Sequence, residues 1–380
     1  MSSSRSRGVF ALLVRVAVFV LVFCGVAEVW FRTVMPASQT PGYYQRQPAA
    51  ITRFDPFGPR TGRFTGGRLC LGGTEWRINN AGWSSGVDYV SAIQRKRPLI
   101  ALFGDSYIEG FLTSTDRHID AYLPRLLPGT ASYAFGLSGW YLEQYVAVSR
   151  YAAARFQPDV LVVFVDDWDV SDSLSANGTI SPYSWQIGPR GTSFAELPPT
   201  AAYSATLKSR LAKKSALISY LRYNAKLTLP GMRTAGVAQT AVGGGAPGED
   251  SAAGDAAPGA PAPGSWPRLL PAARFMVDRL CADHPGTPIV FVTYGDRYLP
   301  VSDVARTPLF PDARAVEVAS RDRSQCSFID LRYEFSRDWA RHHVRFEAAD
   351  GMHWNAYANR LVARTLADFI AENKLLEHQD

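Results

Sequence analysis

Three residues have the types and spacing to do chemistry together. Residues 99–110 read LIALFGDSYIEG, an apolar run that ends on Gly104-Asp105-Ser106. Such a run ahead of a Gly-Asp turn predicts a buried strand, and open parallel sheets bind ligands beyond the carboxyl ends of their strands. Ser106 is thereby placed as a nucleophile. A serine hydroxyl is a weak nucleophile until a base lies within hydrogen-bond reach, itself oriented by a third group. The segment AADGMHWNAYANRLVARTLADFI, 348–370, supplies both: Asp350 and His353 stand three apart in a loop leading into an amphipathic helix. One short turn then delivers an imidazole and the carboxylate that fixes its tautomer. The other histidines lie elsewhere, with His118 on a surface helix, His284 after a helix, His342 and His343 as a polar pair and His378 in the tail. The chemistry this set supports is nucleophilic catalysis through a covalent intermediate on the serine.

Competing chemistries lack their residues. The string Gly136-Leu137-Ser138-Gly139-Trp140 fails the Gly-x-Ser-x-Gly elbow of α/β-hydrolases at its last position. There is no Gly-rich phosphate loop and no clustered metal-ligand spacing, so the sequence implies neither a cofactor nor a metal.

A serine and a histidine so far apart in the chain meet only if a fold brings them together. From Pro98 onward, apolar runs at 98–104, 131–136, 159–165, 288–295 and 327–331 alternate with helical stretches that include 117–127, 140–155 and 355–373. That alternation predicts a doubly wound, three-layer α/β/α domain with a mostly parallel sheet. The expected organisation is a stub and anchor at 1–35, an extension of strands and loops packing on the core at 36–95, the first part of the domain at 96–173, an insertion at 174–229, a flexible loop at 230–266 and the second part at 267–380. Within the insertion, 201–228 reads as a helix or helical hairpin with apolar Leu207, Leu211, Leu217, Ile218 and Leu221. Its basic face is either solvated or in contact with anionic lipid headgroups or an acidic glycan. Residues 230–264 hold nine Gly and five Pro and almost no large apolar side chain, too little to offset their ordering entropy.

The N-terminus sets the compartment. Residues 8–31, GVFALLVRVAVFVLVFCGVAEVWF, are apolar apart from Arg15 and Glu28, enough helix to cross a hydrocarbon core of roughly 30 Å. Arg5 and Arg7 precede it, so the positive-inside bias keeps the N-terminus cytoplasmic and exports the rest. The alternative is a cleaved signal peptide with an apolar core at Val16–Val26 and small Gly25 and Ala27 before the cut. In the exported part Cys70, Cys281 and Cys326 allow one disulfide, for which Cys281–Cys326 is the pair to test, with free buried thiols as the alternative.

Composition narrows the class. The chain has 380 residues, of which 47% are hydrophobic and 19% charged, which excludes a largely disordered protein. Its net charge of +6 is concentrated in the first 32 residues and in 201–228, leaving the rest at −3. A slightly acidic body is not built to bind phosphate backbones, so no nucleic-acid partner is expected.

These residues carry a resemblance. Gly-Asp-Ser at the first strand, the Ser-Gly of YAFGLSGWYLEQ (133–144) and Asp-x-x-His near the C-terminus resemble the SGNH (GDSL-type) hydrolase superfamily of esterases, lipases and O-acyltransferases, over roughly residues 74–172 and 286–370. RINNAGW (77–83) and FQPDVLVVFVDDWDVSD (156–172) look like its membrane-anchored bacterial branch, and DGMHWN (350–355) resembles the DGxHWN of relatives that modify envelope polysaccharides, alginate O-acetylation proteins included. The resemblance implies a flavodoxin-like fold, with Ser106 as nucleophile, His353 as general base and then acid, Asp350 as its orienting partner, and the backbone N–H groups of Ser106 and Gly139 as oxyanion donors. Where the superfamily's third block supplies an Asn side chain as a further donor, this chain has Val165-Asp166-Asp167-Trp168-Asp169. Counting forward from the strand puts Asp167 at the Asn position, and counting back from VSDS puts Trp168 there. Losing one such donor typically costs about 2.7–4 kcal/mol of transition-state stabilisation.

The implied function is a serine-dependent esterase or O-acyltransferase acting on acyl esters, acetyl first among them, of a cell-envelope or exported polysaccharide. It would need no cofactor, would sit at the inner membrane facing the periplasm through its N-terminal helix, and could join a polysaccharide-modification complex. Hydrolysis and transfer share every residue up to the step that resolves the acyl-enzyme. The alternatives are a non-catalytic glycan-binding or assembly protein on a degenerate SGNH fold, and a lipid-directed esterase. Trp140, Tyr141, Trp168 and Trp354, near the motifs, either stack on sugar rings or pack.

Overall fold

The computed structural model describes residues 2–44, 51–174, 186–197, 214–225, 227 and 266–377. The flexible loop expected at 230–266 lies outside them except for Trp266, as do Leu207 and Leu211 of the basic helix. Strands β1 (Leu99–Gly104), β2 (Ala131–Gly136), β3 (Val160–Val165), β4 (Ile289–Thr293) and β5 (Cys326–Asp330) form one sheet in the order β2-β1-β3-β4-β5. Every neighbouring pair is parallel, with Gly104 level with Gly136 and Phe103 level with Val163. The order reverses at β1, so the crevice beyond the carboxyl ends of β1 and β3 is the switch point where such sheets bind ligands.

Strands β1, β3 and β4 are dominated by Val, Ile, Leu and Phe because both faces of the sheet are covered there. On one face Ile100, Leu102, Val160, Val162, Phe164, Val290 and Val292 pack with Leu123, Leu361, Val362 and Leu366 of helices Ile119–Leu126 and Ala356–Glu372. The alternate residues Ala101, Phe103, Leu161, Val163 and Phe291 are equally buried, as are Val148, Met276, Leu280 and Val316 of helices Leu142–Phe156, Trp266–Asp283 and Pro311–Ser320. Each fully withdrawn Leu, Val or Phe contributes about 1.5–3 kcal/mol. The three helices predicted from the spacing at 117–127, 140–155 and 355–373 form at Ile119–Leu126, Leu142–Phe156 and Ala356–Glu372, and the fold is the doubly wound α/β architecture expected.

The chain divides into two compact units. The larger comprises Pro41–Gly62, Thr74–Ser204 and Thr234–Asp380 and contains the sheet. In it Trp83 is fully buried, edge-on to Phe135 and Trp140, and the Tyr89 hydroxyl donates to the Ala134 carbonyl at 2.8 Å. The antiparallel hairpin Gln186–Arg190 and Ser193–Leu197 carries Glu196, which pairs with Arg150 and Arg279. The Cys281 and Cys326 sulfurs lie 3.3 Å apart as thiols.

The smaller unit is Met1–Thr40, Arg63–Gly73 and Ala205–Arg233. Helix Ser2–Thr33 contains an apolar stretch, Gly8–Thr33, long enough to cross a membrane, with Phe19, Leu21 and Phe23 exposed. Near its end Glu28 accepts hydrogen bonds from Ser215 Oγ (2.7 Å) and from the N–H groups of Ala216 and Leu217 (both 2.9 Å), so it caps the short helix Ala216–Ser219. Phe31 stacks on Tyr220 with centroids 3.8 Å apart. The Asn224 side chain accepts from Ser38 N–H and donates to the Thr65 and Gly67 carbonyls.

Candidate active site

The site forms where β1 ends. Asp105 caps the single-turn helix Ser106–Glu109, its carboxylate accepting Tyr107 N–H at 3.0 Å. The turn sits directly on the end of β2. A Cβ at Gly136 would lie 2.4 Å from the Glu109 nitrogen and 2.6 Å from the Ile108 carbonyl carbon, so only glycine lets the two backbones approach.

The second half is the 347–355 loop. Asp350 Oδ1 accepts the N–H groups of Met352 and His353, both at 3.1 Å, while Ala348 N–H donates to the His353 carbonyl at 2.7 Å. Asn355 then caps helix Ala356–Glu372 by accepting Ala358 N–H at 3.0 Å. This short, self-bonded loop sets the imidazole before the helix begins, and Trp354 anchors it by packing edge-on to Tyr107 and Tyr294.

The structure brings the three residues together. Ser106 Oγ donates to His353 Nε2 at 2.7 Å, and His353 Nδ1 donates to the Asp350 carboxylate. Asp350 and His353 are buried and Ser106 is half-buried. Burial pushes the Asp350 carboxyl up, but hydrogen bonds from the His353 ring and from two backbone N–H groups outweigh it and hold the group below the usual range. Burial likewise pulls His353 down, and the Asp350 hydrogen bond and charge, with the charges of Asp105 and Glu109, bring it above an ordinary histidine. A hydroxyl, an imidazole and a carboxylate thus stand in the relation that can activate a serine.

Two backbone donors near the turn stand without a protein partner. Gly139 takes φ +74°, a left-handed conformation that favours glycine. Among the described residues neither Ser106 N–H nor Gly139 N–H donates to a protein acceptor. No hydrogen bond links the side chains of Asp167 or Trp168 to Ser106 or His353. Burial pushes the Asp166 carboxyl up, against the pull of the Arg297 and His353 charges. Burial, then the neighbouring Asp166 and Asp312, raise the Asp167 carboxyl far above the usual range. Burial, then Asp166, likewise raise Asp105.

Three further side chains belong to the site. Glu109, 4% exposed, accepts the hydroxyl of Ser138, and burial pushes its carboxyl up to about 7. Arg297 donates to the Tyr107 hydroxyl at 2.7 Å and to Glu347 at 3.2 Å, and the Tyr107 hydroxyl donates to the Met352 carbonyl at 3.2 Å. Arg297 thereby ties the residue after the nucleophile to the histidine loop. Glu109, three residues after Ser106 and on the same side of a helical turn, had a local signal in the sequence. Arg297, alone in the loop after β4, had none. Among the described residues no group of His, Cys, Asp and Glu is arranged to hold a metal ion.

No family model and no curated protein sequence matches the chain. Among solved structures it is similar to a carbohydrate esterase family 2 enzyme with a carbohydrate-binding domain from Corynascus thermopiles (Myceliophthora fergusii), at 12% identity and TM-score 0.36, covering 78% of this chain and 74% of that one. It is also similar to a family 3 carbohydrate esterase from Clostridium thermocellum (11%, TM-score 0.35, 73% and 97% covered). A third match is a salicylyl-acyltransferase from a tetracycline biosynthetic pathway (12%, TM-score 0.36, 74% and 57% covered). Overlaps this partial assign no activity to the chain. In the Gly-Asp-Ser turn and in the Asp-x-x-His loop the chain resembles the SGNH (GDSL-type) hydrolases.

Proposed function

We propose that the protein is a serine-dependent esterase or O-acyltransferase that acts on acetyl esters of an envelope or exported polysaccharide, held at the bacterial inner membrane with its site in the periplasm. The observation that supports this most is the unbroken relay Ser106–His353–Asp350 beside two unpaired backbone donors. Ser106 attacks the acyl carbonyl as its proton passes to His353 Nε2, and the Asp350 carboxylate stabilises the imidazolium that forms. The N–H groups of Ser106 and Gly139 receive the developing oxyanion. The tetrahedral intermediate collapses when His353 returns the proton to the departing sugar oxygen. Water or an acceptor hydroxyl, deprotonated by the same imidazole, then releases the acyl group.

Full-length protein in detergent, given a chromogenic acetyl ester and acetylated or bare oligosaccharides, tests this. Turnover that Ser106→Ala and His353→Ala each cut by at least about 10³-fold is expected. Acetate in water marks an esterase, and acetylated acceptor marks a transferase. Binding of glycans without turnover on any ester would leave the assembly-protein reading in place.

A further inference from the structure

Glu109 is buried and, among the described residues, pairs with no Lys or Arg. Such a carboxylate is expensive to desolvate, and an apolar side chain of similar size would fill the space without that cost. What a carboxylate adds is its acceptor bond to the Ser138 hydroxyl. Both ends of this link matter. Glu109 closes the helical turn that Ser106 opens, and Ser138 immediately precedes Gly139. The loop carrying them leaves β2 at Gly136, against which the same turn is packed.

We infer that Glu109 is a positioning residue: by gripping Ser138 it fixes where Gly139 presents its N–H relative to Ser106, and so sets the width of the oxyanion site. This rests on the hydrolase reading above. The serine and the second donor belong to separate strands, and a carboxylate one helical turn from the nucleophile is the group that joins them. Since a misplacement of about 1 Å at a reacting centre costs on the order of 10²-fold in rate, a lost clamp is felt in turnover rather than in substrate binding.

The test compares kcat and KM of the full chain on an acetyl ester for Glu109→Gln, Glu109→Ala and Ser138→Ala. Glu109→Ala is expected to lower kcat about 10²-fold with KM little changed. Glu109→Gln, which keeps an acceptor oxygen for the Ser138 hydroxyl, recovers all but a few-fold, and Ser138→Ala, which removes that hydroxyl, falls as far as Glu109→Ala. Equal loss in Gln and Ala, unchanged kcat in Ala, or a loss carried by KM would overturn the inference. If Glu109→Ala does not fold, Ser138→Ala decides, and unchanged kcat there is equally adverse. A wild type without ester turnover defeats the hydrolase reading itself, whereas an active wild type with an indifferent Glu109→Ala defeats only the clamp.

Discussion

The close approach of β2 to the nucleophile turn makes Gly136→Ala a sharp probe. Gly136 does not have a positive φ, so space alone requires a glycine there. The added methyl would stand 2.4 Å from Glu109 N, 2.6 Å from Ile108 C and 2.8 Å from Ile108 Cβ, and two of these are backbone atoms that no rotamer change removes. Restoring an ordinary contact of about 3.4 Å requires the Ser106–Glu109 turn to shift by roughly 1 Å, which costs about 1–3 kcal/mol as overpacking and on the order of 10²-fold in rate. The assay pairs thermal unfolding with ester turnover. Gly129→Ala is the control: its left-handed φ of +88° is strained by a side chain, but nothing lies within 4 Å. It should lower the melting temperature and spare turnover. Gly104→Ala meets chiefly the Ile108 side chain at 2.4 Å, which can rearrange, so its loss should be smaller than that of Gly136→Ala. Wild-type kcat in Gly136→Ala would refute the claim that this contact sets the nucleophile.

Three further outcomes follow from the same geometry. Because His353 must be neutral to accept the serine proton and its pKa is raised, kcat/KM should fall as pH drops through a value above the ordinary 6.5. Asp350→Asn should move that inflection down and cut the rate by about 10³–10⁴-fold, and an unmoved inflection would contradict the pairing. Cys281 and Cys326, 3.3 Å apart and 45 residues apart in sequence, should close a disulfide when a disulfide oxidant removes two hydrogens from the thiols, adding roughly 4 kcal/mol of stability; peptide mapping without reductant that finds both thiols free after such treatment would count against it. Carbonate-washed membranes should retain the full-length protein and release a chain lacking residues 1–27, whereas a mature N-terminus starting near Glu28 would identify a cleaved signal.

Much of the fold was legible because it is written in local patterns. Strands such as Val160–Val165 read as continuous apolar runs since both faces are covered, and helix Ala356–Glu372 shows its apolar stripe and its Asn355 cap in sequence. Ser106, Asp350 and His353 stood out because each lies in a short turn whose residues dictate its shape. What sequence missed depends on distant partners. The backbone of the third block is set by a tight turn in which Asp169 accepts Asp166 N–H at 2.8 Å while Asp312 accepts the N–H groups of Val170 and Ser171. Asp312 lies 142 residues beyond Val170, so no count along the third block finds it. Arg297 reaches Tyr107 across 190 residues for the same reason.

The most direct test of the central claim is covalent labelling of the full-length protein with a fluorophosphonate, followed by mass mapping of the modified peptide. Reaction at Ser106 alone, abolished in Ser106→Ala and strongly slowed in His353→Ala, is the predicted result. A folded wild type that leaves Ser106 unmodified, or that is labelled equally well without His353, would contradict it.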